Sequence, residues 1–433
     1  IKPGSTDQFR AARPASRCAT EMNEGAATDR IAALDLVRGI AVLGILTINI
    51  AGLAGGSSAV LSPGLLGPAS LPDKLAFVAG LVLFEGKMRG LFTLLFGASM
   101  LLFVDRRDAA GADGGYWQLR RLGWLFLIGY LHQLLLWSGD ILMLYAMLAP
   151  IALALRHWSV RRMVVVALAA FALWHGAFSI AGWSSLTAAE AVHDGRADPV
   201  TRAVVLSQYD AVAGETRDEI NTLRKPYLTM LEERFQETLY MPLLVTLLSI
   251  GETVPLMLLG MALYRSGFFT GGWSNTRLWQ LATAGLAIGL PLALAQAVWA
   301  WSRNFPPDAM FQLLIGIAGP QHLALTLAYA SLLVLAAPFL LETRLGGRLH
   351  AAGKMALSNY LLTSLIMAFC FFGWGLGLVG RVGALAQWGF VLIGWAAMLG
   401  WSKPWLARCH QGPTEWLWRS LTEGRRLVLA RRG

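Results

Sequence analysis

The sequence has few charged residues, which make up 14% of its 433 residues, whereas hydrophobic residues make up 56%. An ordinary soluble domain carries about 25% charged residues. The composition therefore excludes that class and favours a polytopic integral membrane protein, whose apolar helices cross the bilayer.

Cysteine is also scarce, with three residues in the whole chain. Cys18, Cys370 and Cys409 fall in three different regions, without the spacing of metal ligands. We therefore expect neither a disulfide framework nor a metal site.

Basic residues exceed acidic ones by ten, yet no compact stretch interleaves basic and aromatic residues as a nucleic-acid surface would. We expect no nucleic-acid partner and attribute the excess to anchors on the cytoplasmic side of a membrane. Residues 1–21 lack the apolar core of a secretory signal. Met22 resembles a natural start, and we treat 1–29 as a disordered or vector-derived leader.

The first strongly apolar segment runs from Arg30 to Leu53 and has about the ~20 residues that a membrane-spanning helix needs. Asp35 and Arg38 lie near its start, and Asn49 lies near its far end. An amide inside the membrane needs partners, because hydrocarbon offers none. Asn49 is therefore either a helix-packing residue or an active-site amide.

We predict an all-α bundle of about ten membrane-spanning helices over residues 30–402. The second span is expected to be broken, because Glu85, Gly86, Lys87 and Arg89 interrupt its middle. The predicted spans are 30–53, 72–104, 122–137, 141–155, 163–183, 240–264, 278–301, 321–341, 355–379 and 382–401.

Two hydrophilic regions accompany the spans. The insertion 184–238 has the apolar spacing of short amphipathic helices, and it is either a solvated cap or a lid that recognises an acceptor. The tail, 403–433, is aromatic and basic, and we interpret it as an interfacial anchor.

The basic residues also predict the orientation of the chain. With a cytoplasmic N-terminus, nearly every inner connector is basic and the outer connectors hold few basic residues, as the positive-inside rule requires. Both termini are then cytoplasmic, and 184–238 lies outside. The inner basic residues include Arg106, Arg107, Arg120, Arg121, Arg156, Arg161, Arg162, Arg265, Arg277, Arg344, Arg348 and Lys354.

This topology predicts how deep in the membrane each polar residue lies. The outer half of the membrane receives Asn49, His132, Asp140, His175 and His322, and the middle receives Glu85, Arg89 and Glu252. A single membrane histidine is more often a packing residue, but a histidine beside an aspartate is suited to act as a general base. Glu85 either pairs with Lys87 or Arg89 for structural reasons or belongs to a polar path.

Five motifs resemble those of one family. They are LDxxRGxAxxGIxxxNI (34–50), FEGKMRxLFxLLFG (84–97), GDILxxYA (139–146), GKMALSNY (353–360) and GPTEWLWR (412–419). Their order, and their spread over nearly the whole chain after Met22, identify the chain by resemblance as a member of the YeiB-like bacterial membrane proteins. The resemblance implies a multi-pass protein of the bacterial cytoplasmic membrane.

The first motif is also similar to the opening of heparan-α-glucosaminide N-acetyltransferase and, more distantly, of integral-membrane O-acyltransferases. That similarity implies acyl transfer from cytoplasmic acyl-CoA, with acetyl-CoA as the first candidate, to an acceptor on the far side. The O-acyltransferases carry a histidine eleven residues after the motif arginine, where this chain and the heparan enzyme have asparagine, here Asn49. The catalytic histidine of the heparan enzyme has no counterpart, since Val60 stands at the comparable spacing.

The first functional hypothesis is therefore a transmembrane acyltransferase, whose acceptor is a glycan, a lipid or a small molecule. In this hypothesis His132 is the base, Asp140 orients it, Asn49 or Gln133 donates to the oxyanion, and His322 is a further catalytic candidate. The acyl-CoA site at the inner face would comprise Asp35, Arg38, Arg106, Arg107, Arg120 and Arg121. Membrane lipids surround the bundle, and a homodimer is left open.

The second hypothesis is a transporter or lipid-handling protein with an intramembrane polar path. The path would comprise Glu85, Lys87, Arg89, Glu252 and Asn359. No internal repeat relates the two halves of the chain, although many secondary transporters have one. A non-catalytic scaffold is a third hypothesis, which fits the number of buried charges less well.

Overall fold

The computed structural model describes residues 15–238 and 241–431, with side chains for 32–235 and 243–431. The described residues form an all-α structure, as predicted, and the isolated bridge between Cys409 and Ala430 is the one β-type contact among them. The α-helices are α1 (Ala15–Gly55), α2 (Leu71–Leu83), α3 (Lys87–Ala109), α4 (Gly114–Leu135), α5 (Leu142–Ala154), α6 (Val160–Ala181), α7 (Trp183–His193), α8 (Pro199–Leu223), α9 (Tyr227–Thr238), α10 (Met241–Arg265), α11 (Asn275–Ser302), α12 (Pro307–Gln312), α13 (Gly319–Leu341), α14 (Arg344–Lys354), α15 (Ala356–Phe371), α16 (Ala384–Arg408) and α17 (Pro413–Glu423). Two 3₁₀ turns, Ser57–Val60 and Phe268–Thr270, and a π-helical turn, Leu313–Ile317, lie between them.

The first helix is longer than the predicted first span. It begins at Ala15, so residues 15–29 of the leader, which the sequence predicts to be disordered or vector-derived, are helical, and residues 1–14 lie outside the described residues. The segment is rich in alanine, the best helix former. Adding turns to an existing helix also avoids the cost of a new helix nucleus.

Several helices are suited to cross a membrane, which makes the chain a multi-pass membrane protein. The described residues contain seven candidate spans, and the bent pair α14 and α15, which meet at 86°, makes up to eight. The predicted count of ten and the cytoplasmic termini stay predictions. The seven are Ala32–Gly55, Leu71–Ala109, Val160–Ala181, Leu243–Arg265, Asn275–Ser302, Gly319–Leu341 and Ala384–Arg408.

The second span is broken, as predicted. α2 ends at Leu83 and α3 begins at Lys87. Between them Gly86 has a φ of 74°, a left-handed conformation that glycine adopts at little steric cost. The Lys87 ammonium turns back and donates to the carbonyl of Leu81 at 2.9 Å, which satisfies a carbonyl at the end of α2.

The basic residues between the second and third predicted spans lie within helices. α3 continues to Ala109 and α4 begins at Gly114, so only residues 110–113 connect them. Asp113 caps α4 by accepting from the N–H of Tyr116 at 3.0 Å. The four arginines of this region are therefore held by helical geometry, whereas the sequence suggested a basic connector.

The insertion and the tail are more ordered than the sequence predicts. The insertion forms α7, α8 and α9, and α8 has 25 residues where only short helices were expected. The tail forms α17, which packs against α4 and α15. The indole of Trp418 on α17 donates to the carbonyl of Arg121 at 2.8 Å. The tail is therefore part of the helical bundle, and its interpretation as an interfacial anchor stays a prediction.

A close contact between backbones joins α1 and α14. A Cβ atom at Gly353 would lie 1.6 Å from the carbonyl oxygen of Asp35, and one at Gly39 would lie 2.0 Å from that of Leu349. Only glycine lets the two helices approach this closely. This close contact explains why glycine stands at Gly39 in the motif 34–50 and at Gly353 in the motif 353–360.

The contact predicts that Gly353→Ala lowers the thermal stability of the detergent-purified protein. The added methyl group forces the helices apart, and such overpacking typically costs about 1–3 kcal/mol. Gly123→Ala on α4 is the matched control, because a Cβ there meets nothing within 4 Å. An unchanged melting temperature for Gly353→Ala would contradict the close contact.

Candidate functional site

A cavity of about 680 Å³ lies between α1, α3, α4, α14, α15 and α17. This volume is in the range of sites for cofactors and small molecules, about 300–1,000 Å³. The cavity extends along α3 from Arg106 to Phe92, a distance of about 21 Å at 1.5 Å per residue. It therefore reaches from the predicted inner face into the helical bundle.

The mouth of the cavity is positively charged. Six basic and three acidic side chains line it, which leaves an excess of three positive charges. A concave site with this balance attracts polyanions. The basic residues are Arg38, Arg106, Arg107, Arg121, Lys354 and Arg419, and the acidic ones are Asp35, Glu415 and Glu423.

Aromatic rings hold Arg121 in place at the mouth. Its guanidinium lies 4.1 Å from the ring centre of Phe103 and 4.3 Å from that of Trp418. Its Nη1 donates to the amide oxygen of Gln118 at 3.3 Å. Stacking on two rings fixes the plane of the guanidinium and leaves edges that can donate to an anion.

The first-span motif supplies a second fixed cation. Arg38 pairs with Asp35 and donates to the hydroxyl of Ser99 on α3 at 2.7 Å. The imidazole Nε2 of His350 on α14 lies 4.0 Å from the Asp35 carboxylate. Asp35 thus orients Arg38, and α1, α3 and α14 meet at this pair.

The deep end of the cavity is mainly apolar. Phe92 and Phe96 on α3, Leu125 on α4 and Leu142 on α5 line it, together with Tyr360 on α15. The cavity therefore changes from cationic at the mouth to apolar at depth. A ligand with a charged head and an uncharged arm matches this change.

His132 and Asp140 form a buried pair beside the deep end. The Nδ1 atom of His132 lies 2.8 Å from Oδ1 of Asp140, and Oδ2 accepts from the N–H of Met143 at 2.8 Å. Gly129 permits the close turn, since a Cβ there would lie 2.4 Å from the Met143 nitrogen. The Nε2 atom of His132 is buried and has no hydrogen-bond partner among the described residues. The carboxylate thus orients the ring and leaves one nitrogen for chemistry.

Asn49 and Gln133, the proposed oxyanion donors, do not bond to this pair. A Cβ at Gly52, one turn after Asn49, would lie 3.4 Å from the indole of Trp137, which follows His132 in the turn. Within the described side chains, no hydrogen bond joins Asn49 or Gln133 to His132 or Asp140. Their proposed role as oxyanion donors stays a prediction.

A second polar cluster lies at the break between α2 and α3. Arg89 donates to both carboxylate oxygens of Glu252 on α10, each at 3.0 Å. His322 packs on Gly86, where a Cβ would lie 2.3 Å from its ring. His322 therefore belongs with the polar-path residues, whereas the catalytic hypothesis places it with His132.

His175 completes this second cluster. Its Nδ1 donates to the carbonyls of Ile315 and Gly316, at 2.8 and 3.2 Å, in the π-helical turn. A Cβ at Gly319 would lie 2.3 Å from its ring. The π turn opens the backbone so that a side chain can reach its carbonyls.

Two predicted site residues lie apart from the groups proposed for them. Asn359 is buried and satisfied, since its amide donates to the Ala352 carbonyl and accepts from the Trp401 indole at 2.7 Å. It joins helices and is separate from Arg89 and Glu252. Arg120 lies over the ring of Trp117 at 5.4 Å and does not line the cavity.

The sequence reasoning missed several residues of the cavity. The motifs at 353–360 and 412–419 contain several of these residues and could have indicated them, but they were used only to recognise the family. The residues concerned are Ser99, Lys354, Tyr360, Glu415, Trp418, Arg419 and Glu423. Within the described residues, no three His, Cys, Asp or Glu side chains are grouped as metal ligands would be.

Comparisons with known proteins place the chain among bacterial relatives. Residues 263–425 match a family described as "Protein of unknown function (DUF418)". The chain is 29% identical over 400 residues to "Uncharacterized protein YeiB" of Escherichia coli (strain K12), covering 91% of this chain and 96% of the relative. It is also 29% identical over 405 residues to "Uncharacterized protein YxaH" of Bacillus subtilis (strain 168), covering 91% and 94%.

A third relative is more distant. The chain is 24% identical over 415 residues to "Uncharacterized 39.9 kDa protein in amylase 3'region" of Bacillus acidopullulyticus, covering 94% of this chain and 98% of the relative. No solved structure matches the chain. These relatives confirm the family resemblance of the motifs, and their names assign no activity.

The site predicts a specific role for Glu415 of α17. Ser358 donates to this buried carboxyl through its N–H, at 3.0 Å, and through its hydroxyl. Glu415→Ala leaves the N–H at the start of α15 without this acceptor, so we expect a loss of about 1–3 kcal/mol of stability, measured by thermal unfolding in detergent. Glu415→Gln keeps an acceptor oxygen and serves as the control with a smaller effect.

Burial also raises the pKa of Glu415 above its ordinary value of 4.5. The folded state then binds this proton more tightly than the unfolded state, so stability falls as the pH rises from 4.5 through the raised pKa. We expect Glu415→Gln, which does not titrate, to gain stability relative to the wild type over that interval. A constant difference in melting temperature across the interval would contradict this assignment.

Proposed function

We propose that this chain, which belongs to the YeiB-like family of bacterial membrane proteins, is an acyltransferase of the cytoplasmic membrane. It would take an acyl group from cytoplasmic acyl-CoA, with acetyl-CoA as the first candidate. One observation carries the proposal: a single cavity runs from a cationic mouth to Tyr360, whose hydroxyl contacts Asp140 of the His132 pair.

The donor fits the two ends of this cavity. Acyl-CoA combines several phosphate charges with a long uncharged arm that ends in the thioester. Arg38, Arg106, Arg107, Arg121 and Arg419 supply donors for the phosphates at the mouth. The uncharged arm would extend along the apolar part toward α15.

His132 would supply the base. Its Nδ1–H donates to Asp140, so the lone pair of Nε2 is free to take the proton of an acceptor hydroxyl or amine. The acceptor oxygen or nitrogen then bonds to the thioester carbon, and the carbon–sulfur bond breaks. The released thiolate takes up a proton and leaves as free CoA.

The acceptor lies on the other side of the membrane in this proposal. α9 contacts the end of α4 three residues after His132, where the hydroxyl of Tyr227 donates to the Leu135 carbonyl at 3.1 Å. This contact is close to the His132–Asp140 pair in the chain and supports the proposed role of the insertion in recognising a glycan, lipid or small-molecule acceptor. The inner-membrane location belongs to the same proposal.

A second candidate function is transport along the polar cluster at the helix break. The observation that favours it is the Arg89–Glu252 ion pair, in which 43% of the Arg89 side chain remains accessible in the interior of a candidate span. Charges at such a position commonly line a water-filled path. Absence of acyl-CoA binding to the purified protein would favour this candidate.

The donor site predicts that Arg121→Gln weakens acetyl-CoA binding by about 10–100-fold. The expected loss follows from the removal of a charge-assisted hydrogen bond worth about 1.5–3 kcal/mol. Calorimetric titration of the detergent-purified protein measures it. Arg120→Gln is the matched control, because Arg120 is the adjacent residue but does not line the cavity. Equal affinities of the two variants would reject the donor site.

The catalytic assignment predicts that His132→Ala lowers the rate of CoA release by about 10²–10⁴-fold, the usual contribution of a general base. Acetyl-CoA affinity should be unchanged, since His132 does not line the cavity. The rate is measured with a thiol reagent. A variant that keeps wild-type turnover would exclude His132 as the base.

A further inference from the structure

Tyr360 separates the cavity from the His132–Asp140 pair. Its ring lines the deep end of the cavity, whereas neither His132 nor Asp140 lines it. The ring centres of Tyr360 and His132 are 5.2 Å apart. A group that moves inward from the mouth therefore meets Tyr360 before it meets His132.

The His132 nitrogen that would act as the base, Nε2, is shielded from the cavity. Nε2 of His132 is buried without a partner, while Nδ1 is held by Asp140. Leaving a buried polar atom without a hydrogen-bond partner is unfavourable. The arrangement is explained if this nitrogen gains its partner when substrate enters and the barrier in front of it moves.

The hydroxyl of Tyr360 is held by two long hydrogen bonds. It donates to Oδ1 of Asp140 and accepts from the N–H of Ile141, each at 3.4 Å. Typical distances are 2.7–2.8 Å for the first kind of bond and 2.9–3.0 Å for the second. Bonds this long are weak, so the hydroxyl contributes little, and the bulk of the buried ring is its main contribution to the barrier.

We propose that Tyr360 is a specificity-determining residue that stops the acyl chain and limits turnover to short acyl groups. The proposal rests on the acyltransferase function. The ring ends the apolar part of the cavity, and only an acyl group small enough to be accommodated beside the displaced ring can bring its thioester to His132. Longer chains fill the space at the ring, and their thioesters stop short of Nε2.

The test measures selectivity for chain length in the full chain, purified in detergent. Acetyl-CoA and butyryl-CoA are titrated by calorimetry, and the release of free thiol is followed with each. In Tyr360→Ala the space of the ring accepts the two extra methylenes of butyryl-CoA. Each buried methylene is worth about 0.8 kcal/mol, so the butyryl-to-acetyl affinity ratio should rise about 15-fold over the wild type.

Two further variants separate the ring from other effects. Tyr360→Phe keeps the ring, so its ratio should remain within about twofold of the wild type even if turnover falls through the lost contact with Asp140. Tyr116→Ala removes an exposed tyrosine on the first turn of α4, outside the cavity, and should leave the ratio unchanged. If Tyr360→Ala does not fold, Tyr360→Leu provides a smaller apolar side chain, and its ratio should also rise.

The outcomes distinguish this proposal from the proposed function. An unchanged ratio in a folded Tyr360→Ala or Tyr360→Leu variant that still binds acetyl-CoA would overturn the role of Tyr360 and leave the acyltransferase function intact. A wild-type protein that binds neither acyl-CoA would overturn both. A ratio that rises equally in Tyr360→Phe would also overturn it, because the hydroxyl and not the ring would then set the limit.

Discussion

The close approach of α1 and α14 is the constraint on which the candidate site depends. Gly353 lies directly against the Asp35 carbonyl, which no residue with a side chain permits. The contact brings Lys354 to the cavity that Asp35 and Arg38 line from α1. Immediately afterwards the chain bends by 86°, and this bend directs α15 and Tyr360 toward the deep end. One contact between backbones thus sets both the charged mouth and the end of the cavity.

The cost of charge in a membrane explains why the polar residues form two separate groups. A buried ion without a partner is expensive, so opposite charges on different helices must meet. Arg89 and Glu252 meet because α3 and α10 approach closely, with Gly97 against Met257 and Gly260 against Leu94. His132 and Asp140 meet within one helical hairpin, eight residues apart. Each group satisfies its own charges, so the fold does not need to connect them.

The tail contributes to the cavity, which its composition alone does not indicate. Its aromatic and basic residues suit a membrane interface, and α17 also lines the cavity. Glu415 caps the start of α15, Trp418 stacks on Arg121, and Glu423 pairs with Arg107. These contacts place Arg419 at the mouth. A polyanionic ligand of the proposed kind would compete with Glu423 for Arg107.

Composition and short-range spacing were enough to determine the class of the protein. The apolar segments indicated a helical membrane protein, the charges around Gly86 indicated a broken span, and the predicted topology put His132 and Asp140 at a similar depth. All three depend on residues that are close in sequence, where helical geometry decides which side chains meet. The motifs likewise identified the family without a structure.

Only the tertiary structure decided which side chains share the site. Arg120 and Arg121 are adjacent in sequence, yet a rotation of about 100° per residue along the helix sends one to Trp117 and the other into the cavity. Tyr360 reaches Asp140 across 220 positions of the chain, and Glu423 reaches Arg107 across 316. Such neighbours result from how whole helices pack against each other. Local sequence patterns determine the helices, but the packing between distant helices creates the cavity and selects its residues.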